Sequence, residues 1–163
     1  MLNPSEVGTR ENEARDAFQA LQTPIRVLIV DDHAILRAGV REMLAEEQDL
    51  QVVAEAGSAE DALQQLRDGL QVDVVVLDIT LPGQSGIDLL KQLKRDQPEL
   101  AILVLSMHPE RSFAVRLMRA GANGYVPKMI VPEELVKAVR AVGTGRRYIT
   151  PLVAELLASE CAA

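Results

Sequence analysis

Carboxylates, a hydroxyl and an ammonium group recur in this chain at the places where apolar runs end. Asp31-Asp32 follows the run Ile25–Val30, Asp78 closes Val74–Leu77, Ser106 closes the run from Ala101, and Lys128 comes just after Gly124–Val126. Carboxylates held close together repel one another and raise one another's pKa unless a cation intervenes. Hard oxygen donors with no Cys or His among them suit Mg²⁺, with Mn²⁺ as the alternative ion. A divalent cation beside a carboxylate, a lysine and a hydroxyl is equipment for phosphoryl chemistry: the cation and Lys128 would neutralise the transferring group and a carboxylate would attack it. Any one of these aspartates, taken alone, is as readily a helix cap. An Asp pair, an Asp, a Ser and a Lys, each ending a different strand, call for more than capping.

These residues can meet only if the apolar runs are neighbouring strands of one sheet. Ile25–Val30 and Val74–Leu77 are unbroken Val/Ile/Leu runs, the pattern of strands buried on both faces. Between the strands the period changes. Ile35, Leu36, Val40 and Leu44 fall on one helical face; Ser58 can cap a second helix with Glu60 and Asp61 in its first turn. A third helix starts near Gly86 after a Pro82-Gly83 turn, with Ile87, Leu90 and Leu93 on one side. A fourth runs from about Pro109 to Ala120 and stops at Gly121, and a fifth opens at Pro132 and breaks at Gly143. Five strand–helix units imply an α/β fold, a parallel sheet with helices on both faces. In such sheets ligands gather outside the carboxyl ends of the strands, where the strand order reverses. The candidate residues all lie on that rim.

Composition limits the alternatives. The chain has 163 residues, 48% of them hydrophobic, but only 2% aromatic and no Trp. Phe18, Phe113, Tyr125 and Tyr148 are too few for a base-stacking platform. With a net charge of −7 and no basic run, the chain by itself lacks the electrostatic footprint of a nucleic-acid or anionic-membrane binder. One cysteine, Cys161, excludes an internal disulfide or a thiolate metal cage. No apolar run approaches a membrane span and no hydrophobic signal segment opens the chain, so a cytoplasmic location is expected. Residues 1–24 are polar and are read as a partly disordered extension, or a short helix carrying Ala14, Phe18 and Leu21.

The motifs "VLIVDDHAILRAGVREML", "VVVLDITLPGQSGIDLLKQL", "ILVLSMH" and "RAGANGYVPK" together resemble the receiver domain of two-component response regulators. The likeness covers about Ile25 to Gly143. Asp-Asp-His after strand one, Leu-Ser-Met-His at strand four and "AVRAVGTGRRYITP" resemble the LuxR-type (NarL/FixJ-like) transcriptional regulators in particular. The resemblance implies a five-stranded, flavodoxin-like sheet of order 2-1-3-4-5. It implies that Asp78 accepts a phosphoryl group from a sensor histidine kinase. Asp32 and Asp78 would ligate Mg²⁺ directly, Asp31 through water, and the Thr80 backbone carbonyl would complete the set. Lys128 would pair with a phosphoryl oxygen, Ser106 would move inward to donate to another, and Tyr125 would follow from exposed to buried. That motion would restyle the face of the fourth helix, fifth strand and fifth helix, where a homodimer on phosphorylation is expected. Arg111, Arg116, Arg119 and Lys137, with Phe113 and Met118 at the margin, are candidates on that surface, and Ile35, Leu36 and Arg37 are candidates for kinase contact.

Two departures, two histidines and three alternatives complete the reading. Lys128 is followed by Met129 where many receivers have proline; Met107 is bulkier than the residue common after the serine; His33 and His108 are taken as loop or helix-start residues. A metal-dependent aspartyl phosphatase would need an acid two residues after its nucleophile, and Thr80 stands there. A flavin carrier would need a Gly-rich loop where Asp31-Asp32-His33 stands. The domain division expected is 1–24 as extension, 25–143 as receiver, and 144–163 as the start of a linker that forms a helix from Pro151. A DNA-binding output domain would lie beyond this chain; a natural stand-alone receiver acting through protein contacts is the alternative.

Overall fold

The computed structural model describes residues 23–81, 85–107, 111–130 and 132–161; residues 1–22, with the possible early helix, and His108 lie outside them. Five strands alternate with helices: β1 (Ile25–Val30), α1 (Ala34–Ala45), β2 (Leu50–Ala56), α2 (Ala59–Arg67), β3 (Val74–Asp78), α3 (Gly86–Asp96), β4 (Ala101–Ser106), α4 (Arg111–Arg119), β5 (Gly124–Pro127), α5 (Pro132–Gly143) and α6 (Pro151–Cys161). All pairings are parallel and the order is β2-β1-β3-β4-β5, as the resemblance implied. The order reverses beside β1, which sits between β2 and β3.

Period-two alternation sorts the strand residues onto two cores. Val27, Ile29, Val74, Val76, Leu103 and Leu105 pack with α1 and α5 through Val40, Leu44, Leu135, Val139 and Val142. Leu28, Val30, Val75, Leu77, Ile102 and Val104 face α2, α3 and α4 through Ala62, Leu89, Leu90, Leu93 and Leu117. β3 and β4 are buried along their whole length, which is why they read as continuous apolar runs.

Local chemistry sets where the elements stop. Ser58 Oγ accepts the Asp61 N–H at 3.1 Å, closing the α2 cap. Gly121, at φ 112, ends α4 in the left-handed region. Asn123 then accepts the Ile102 N–H at 3.0 Å through its side chain, which sets β5 beside β4. Gly86 opens α3 where a Cβ would lie 2.4 Å from the Ile79 carbonyl oxygen. Glycine therefore lets α3 press against the loop that leaves Asp78.

The chain after α5 does not leave the domain. Tyr148 forms a parallel bridge to Gly124 at the free edge of β5, and α6 packs against α4. Met118, expected at the margin of a surface, is 4% exposed and belongs to the core.

Candidate functional site

Each candidate residue stands where its strand ends. β1 and β3 are paired directly, with Val30 opposite Leu77, so Asp31 and Asp78 leave adjacent strands at the same height. β4 follows, with Leu105 opposite Asp78, and Ser106 is paired with Pro127 of β5. The Lys128 N–H donates to the Ser106 carbonyl at 2.9 Å, so the serine and the lysine are fixed to one another through backbone.

The side chains converge. Lys128 Nζ donates to Asp78 Oδ2 at 2.8 Å and lies 3.8 Å from Asp31 Oδ2. Asp78 Oδ1 accepts the Thr80 N–H at 2.9 Å. Asp31 accepts the His33 N–H at 2.8 Å. Among the described residues, Asp31, Asp78 and Ser106 are the buried polar ones, at 2%, 0% and 1% exposure. Burial pushes the Asp78 carboxyl above its usual range and the Asp31 charge adds to that, while Lys128 and the Thr80 amide pull the other way. Asp32 and Thr80 sit nearer the surface and are exposed, whereas Tyr125 is buried within the same apolar cluster as Phe113 and Val153.

Asp31, Asp32, His33 and Asp78 each offer one ligand atom, and these atoms lie within 4.8 Å of one another. Three carboxylates facing one ammonium leave an excess of negative charge at a partly buried rim, and hard oxygen donors fit a divalent cation of the Mg²⁺ or Mn²⁺ kind. The sequence reading took His33 as a helix-start residue, and it is the N-cap of α1. The structure brings its Nδ1 to 3.2 Å from Asp31 Oδ1 and 3.1 Å from Asp32 Oδ1. Arg37 has a further place that the sequence did not show. Its guanidinium turns inward, donating to the Asp31 carbonyl at 2.5 Å and to Glu55 Oε1 at 3.2 Å. The available signal was Glu55, an acid in a strand whose neighbours Val52, Val53, Ala54 and Ala56 are apolar.

The fold agrees with the comparisons to known proteins. Residues 27–140 match the response regulator receiver domain. The chain belongs to that family. It is 44% identical over 134 residues to the response regulator GacA of Pseudomonas aeruginosa, covering 82% of this chain and 62% of that protein. It is 39% identical to UvrY of Escherichia coli, covering 82% and 61%. The receiver thus spans about three fifths of the length of these relatives. Among solved structures, a LuxR-family response regulator from Aurantimonas matches with TM-score 0.76 and 38% identity, covering 86% of this chain and all of that one (100%). The isolated receiver of RcsB from Salmonella enterica, solved with phosphomimetic BeF3−, matches with TM-score 0.74 and 30% identity, covering 83% and 99%. Among the described residues of this receiver, no helix is long and apolar enough to cross a membrane.

Proposed function

We propose that this receiver takes a phosphoryl group on Asp78 from a sensor histidine kinase and passes the event on as a change of surface. The observation that carries the proposal is the Asp78 carboxylate, wholly buried yet 2.8 Å from a lysine ammonium at the rim of the sheet. A buried carboxylate that is merely structural would be matched by its partners; this one lies among two further carboxylates, Asp31 and Asp32, with one ammonium beside it.

In the transfer, an Asp78 oxygen forms a bond to phosphorus as the bond from phosphorus to the donor nitrogen breaks, leaving an acyl phosphate. Mg²⁺, or Mn²⁺ in its place, would be held by Asp32, Asp78 and the Thr80 carbonyl, with Asp31 acting through water, and would offset the charge of the phosphoryl group. Lys128, with its Nζ 2.8 Å from Asp78 Oδ2, would pair with a phosphoryl oxygen. Ser106, buried and tied to Lys128 through backbone, would move inward to donate its hydroxyl to another oxygen. Thr80 cannot act as an acid at neutral pH, which favours a phosphoacceptor over an enzyme turning over an external ester.

The likeness to GacA and to DNA-bound RcsB supports reading the chain as the receiver portion of a DNA-binding regulator. Residues 25–143 are the receiver, 144–163 the start of a linker, and DNA contact belongs to an output domain outside this chain. The kinase would dock beside α1, where Ile35 (88% exposed) and Leu36 stand out at the surface. Dimerisation through the α4–β5–α5 face would follow phosphorylation.

Mass spectrometry after incubation with acetyl phosphate tests the acceptor. A Mg²⁺-dependent gain of one phosphate (about 80 Da), absent in Asp78→Asn, is the expected result. An adduct that persists in Asp78→Asn would overturn the assignment.

A further inference from the structure

We infer that Arg37 is a positioning residue of the acidic pocket, holding the Asp31–Asp32 peptide so that Asp32 can meet a divalent cation. The inference rests on the site reading above and concerns how the site is kept in shape.

Asp31 is anchored several times over. Its N–H donates to the Ala56 carbonyl at 3.0 Å, its carboxylate takes the His33 N–H, and Lys128 lies alongside. Asp32 is different. Among the described residues its ionic contact is the His33 ring, and that ring is itself more than half exposed. The direction in which Asp32 points is therefore inherited from the peptide that precedes it. The oxygen of that peptide is the Asp31 carbonyl, which receives Arg37 Nη1 at 2.5 Å.

Arg37 can hold this oxygen because it is held in turn. Its Nε donates to Glu55 Oε1 at 3.2 Å, while Arg41 Nη1 donates to Glu55 Oε2 at 2.7 Å. The Glu55 carbonyl receives Gln65 Nε2 at 2.9 Å. The path thus runs from the pocket through α1 to the end of β2 and on to α2. The planar guanidinium is suited to this double duty because its donors are fixed relative to one another. Glu55 also neutralises the cation, so Arg37 fixes the pocket without itself competing strongly for its carboxylates. Groups that orient ligands from behind typically alter metal affinity 10–100-fold when removed.

The test is a Mg²⁺ titration of the whole chain followed by backbone amide NMR shifts, with thermal melting recorded alongside. Wild type should bind. Arg37→Ala should keep the folded spectrum and bind ~10-fold more weakly. Glu55→Gln, which removes the brace but leaves the Asp31 contact, should fall between the two. Arg37→Lys, which keeps one donor but not the fork, should recover part of the loss. A folded Arg37→Ala with wild-type Mg²⁺ affinity overturns the inference; should that variant not fold, Glu55→Gln at wild-type affinity overturns it. A purely structural role would lower the melting temperature and leave the affinity unmoved. Wild type that shows no Mg²⁺-dependent shifts around Asp32 and Asp78 would instead defeat the reading of the site, and the inference with it.

Discussion

Asp78 is costly to the fold that carries it. Its carboxylate is fully buried, Asp31 is nearly so, and a single ammonium, that of Lys128, stands among three carboxylates. Replacing Asp78 by Asn removes one of the repelling charges and keeps the shape, and Lys128 can still face Asp31. Asp78→Asn should therefore be more stable than wild type in the absence of divalent cations, by ~1 kcal/mol or ~3 °C in melting temperature. Calorimetry at neutral pH decides this, and a less stable variant would mean that the Lys128 pair outweighs the repulsion. Mg²⁺ should raise the melting temperature of wild type more than that of the variant, since ligands that bind only the native state stabilise it by mass action. At this scale the sequence was legible wherever a polar residue ended an apolar run, as Asp31, Asp78, Ser106 and Lys128 do. It was not legible for His33 and Arg37, whose side chains could equally have faced solvent. Only the direction in which α1 leaves β1 decides that Arg37 turns inward and that the His33 ring, though more than half exposed, lies against Asp31 and Asp32.

Elements were legible because each has a strong local reason to exist. The buried runs of β1, β3 and β4, the Ser58 cap and the Gly121 stop all act over a few residues. What locks strand to strand was harder to see, because it joins side chains far apart in sequence. Arg26 at the start of β1 is the clearest case. Its Nε and Nη2 each donate to Asp73 at 3.0 Å, and its own N–H donates to Asp73 at 2.9 Å. This pins β1 to the entry of β3 at the end of the sheet opposite the candidate site. Arg26 hydrogen bonding holds the Asp73 carboxyl below its usual range, against the opposing effect of burial. A depressed carboxyl contributes stability that is fully present above the unfolded value of about 3.9 and is lost as pH falls through the lower folded value. Asp73→Asn should thus lower the urea midpoint at pH 7, modestly since the pair is partly exposed. The gap between variant and wild type should hold down to about pH 4 and then close on further acidification. A gap that does not change with pH would show that charge at Asp73 contributes nothing.

On the scale of the whole molecule, the segment after α5 touches each element of the face proposed for dimerisation. The Tyr125 N–H of β5 donates to the Tyr148 carbonyl at 3.1 Å, and the Tyr148 N–H donates to the Asn123 carbonyl at 3.0 Å. Gly124 keeps that approach open, for a Cβ there would lie 3.1 Å from the Tyr148 oxygen. The Tyr148 hydroxyl donates to Glu134 of α5 at 2.5 Å, a bond that pushes the phenol up to about 12. α6 lies on α4, and Ile149, Val153 and Leu157 join the apolar cluster that contains Phe113, Met118 and Tyr125. A partner using α4, β5 and α5 must therefore share that surface with this segment or displace it. Val153, at 5% exposure, is the position where displacement can be forced. Placing a charge there without a partner costs far more than an exposed helix of this length can offset. Val153→Asp should detach α6 while leaving the sheet and its two cores intact. Hydrogen exchange should then quicken across residues 146–161 and at the Tyr125 amide, and beryllofluoride should drive self-association at lower protein concentration than in wild type. Quickened exchange with unchanged association would mean that the partner surface lies away from α6. Exchange that does not quicken would mean that the bridge at Tyr148, and not the helix, holds the segment in place.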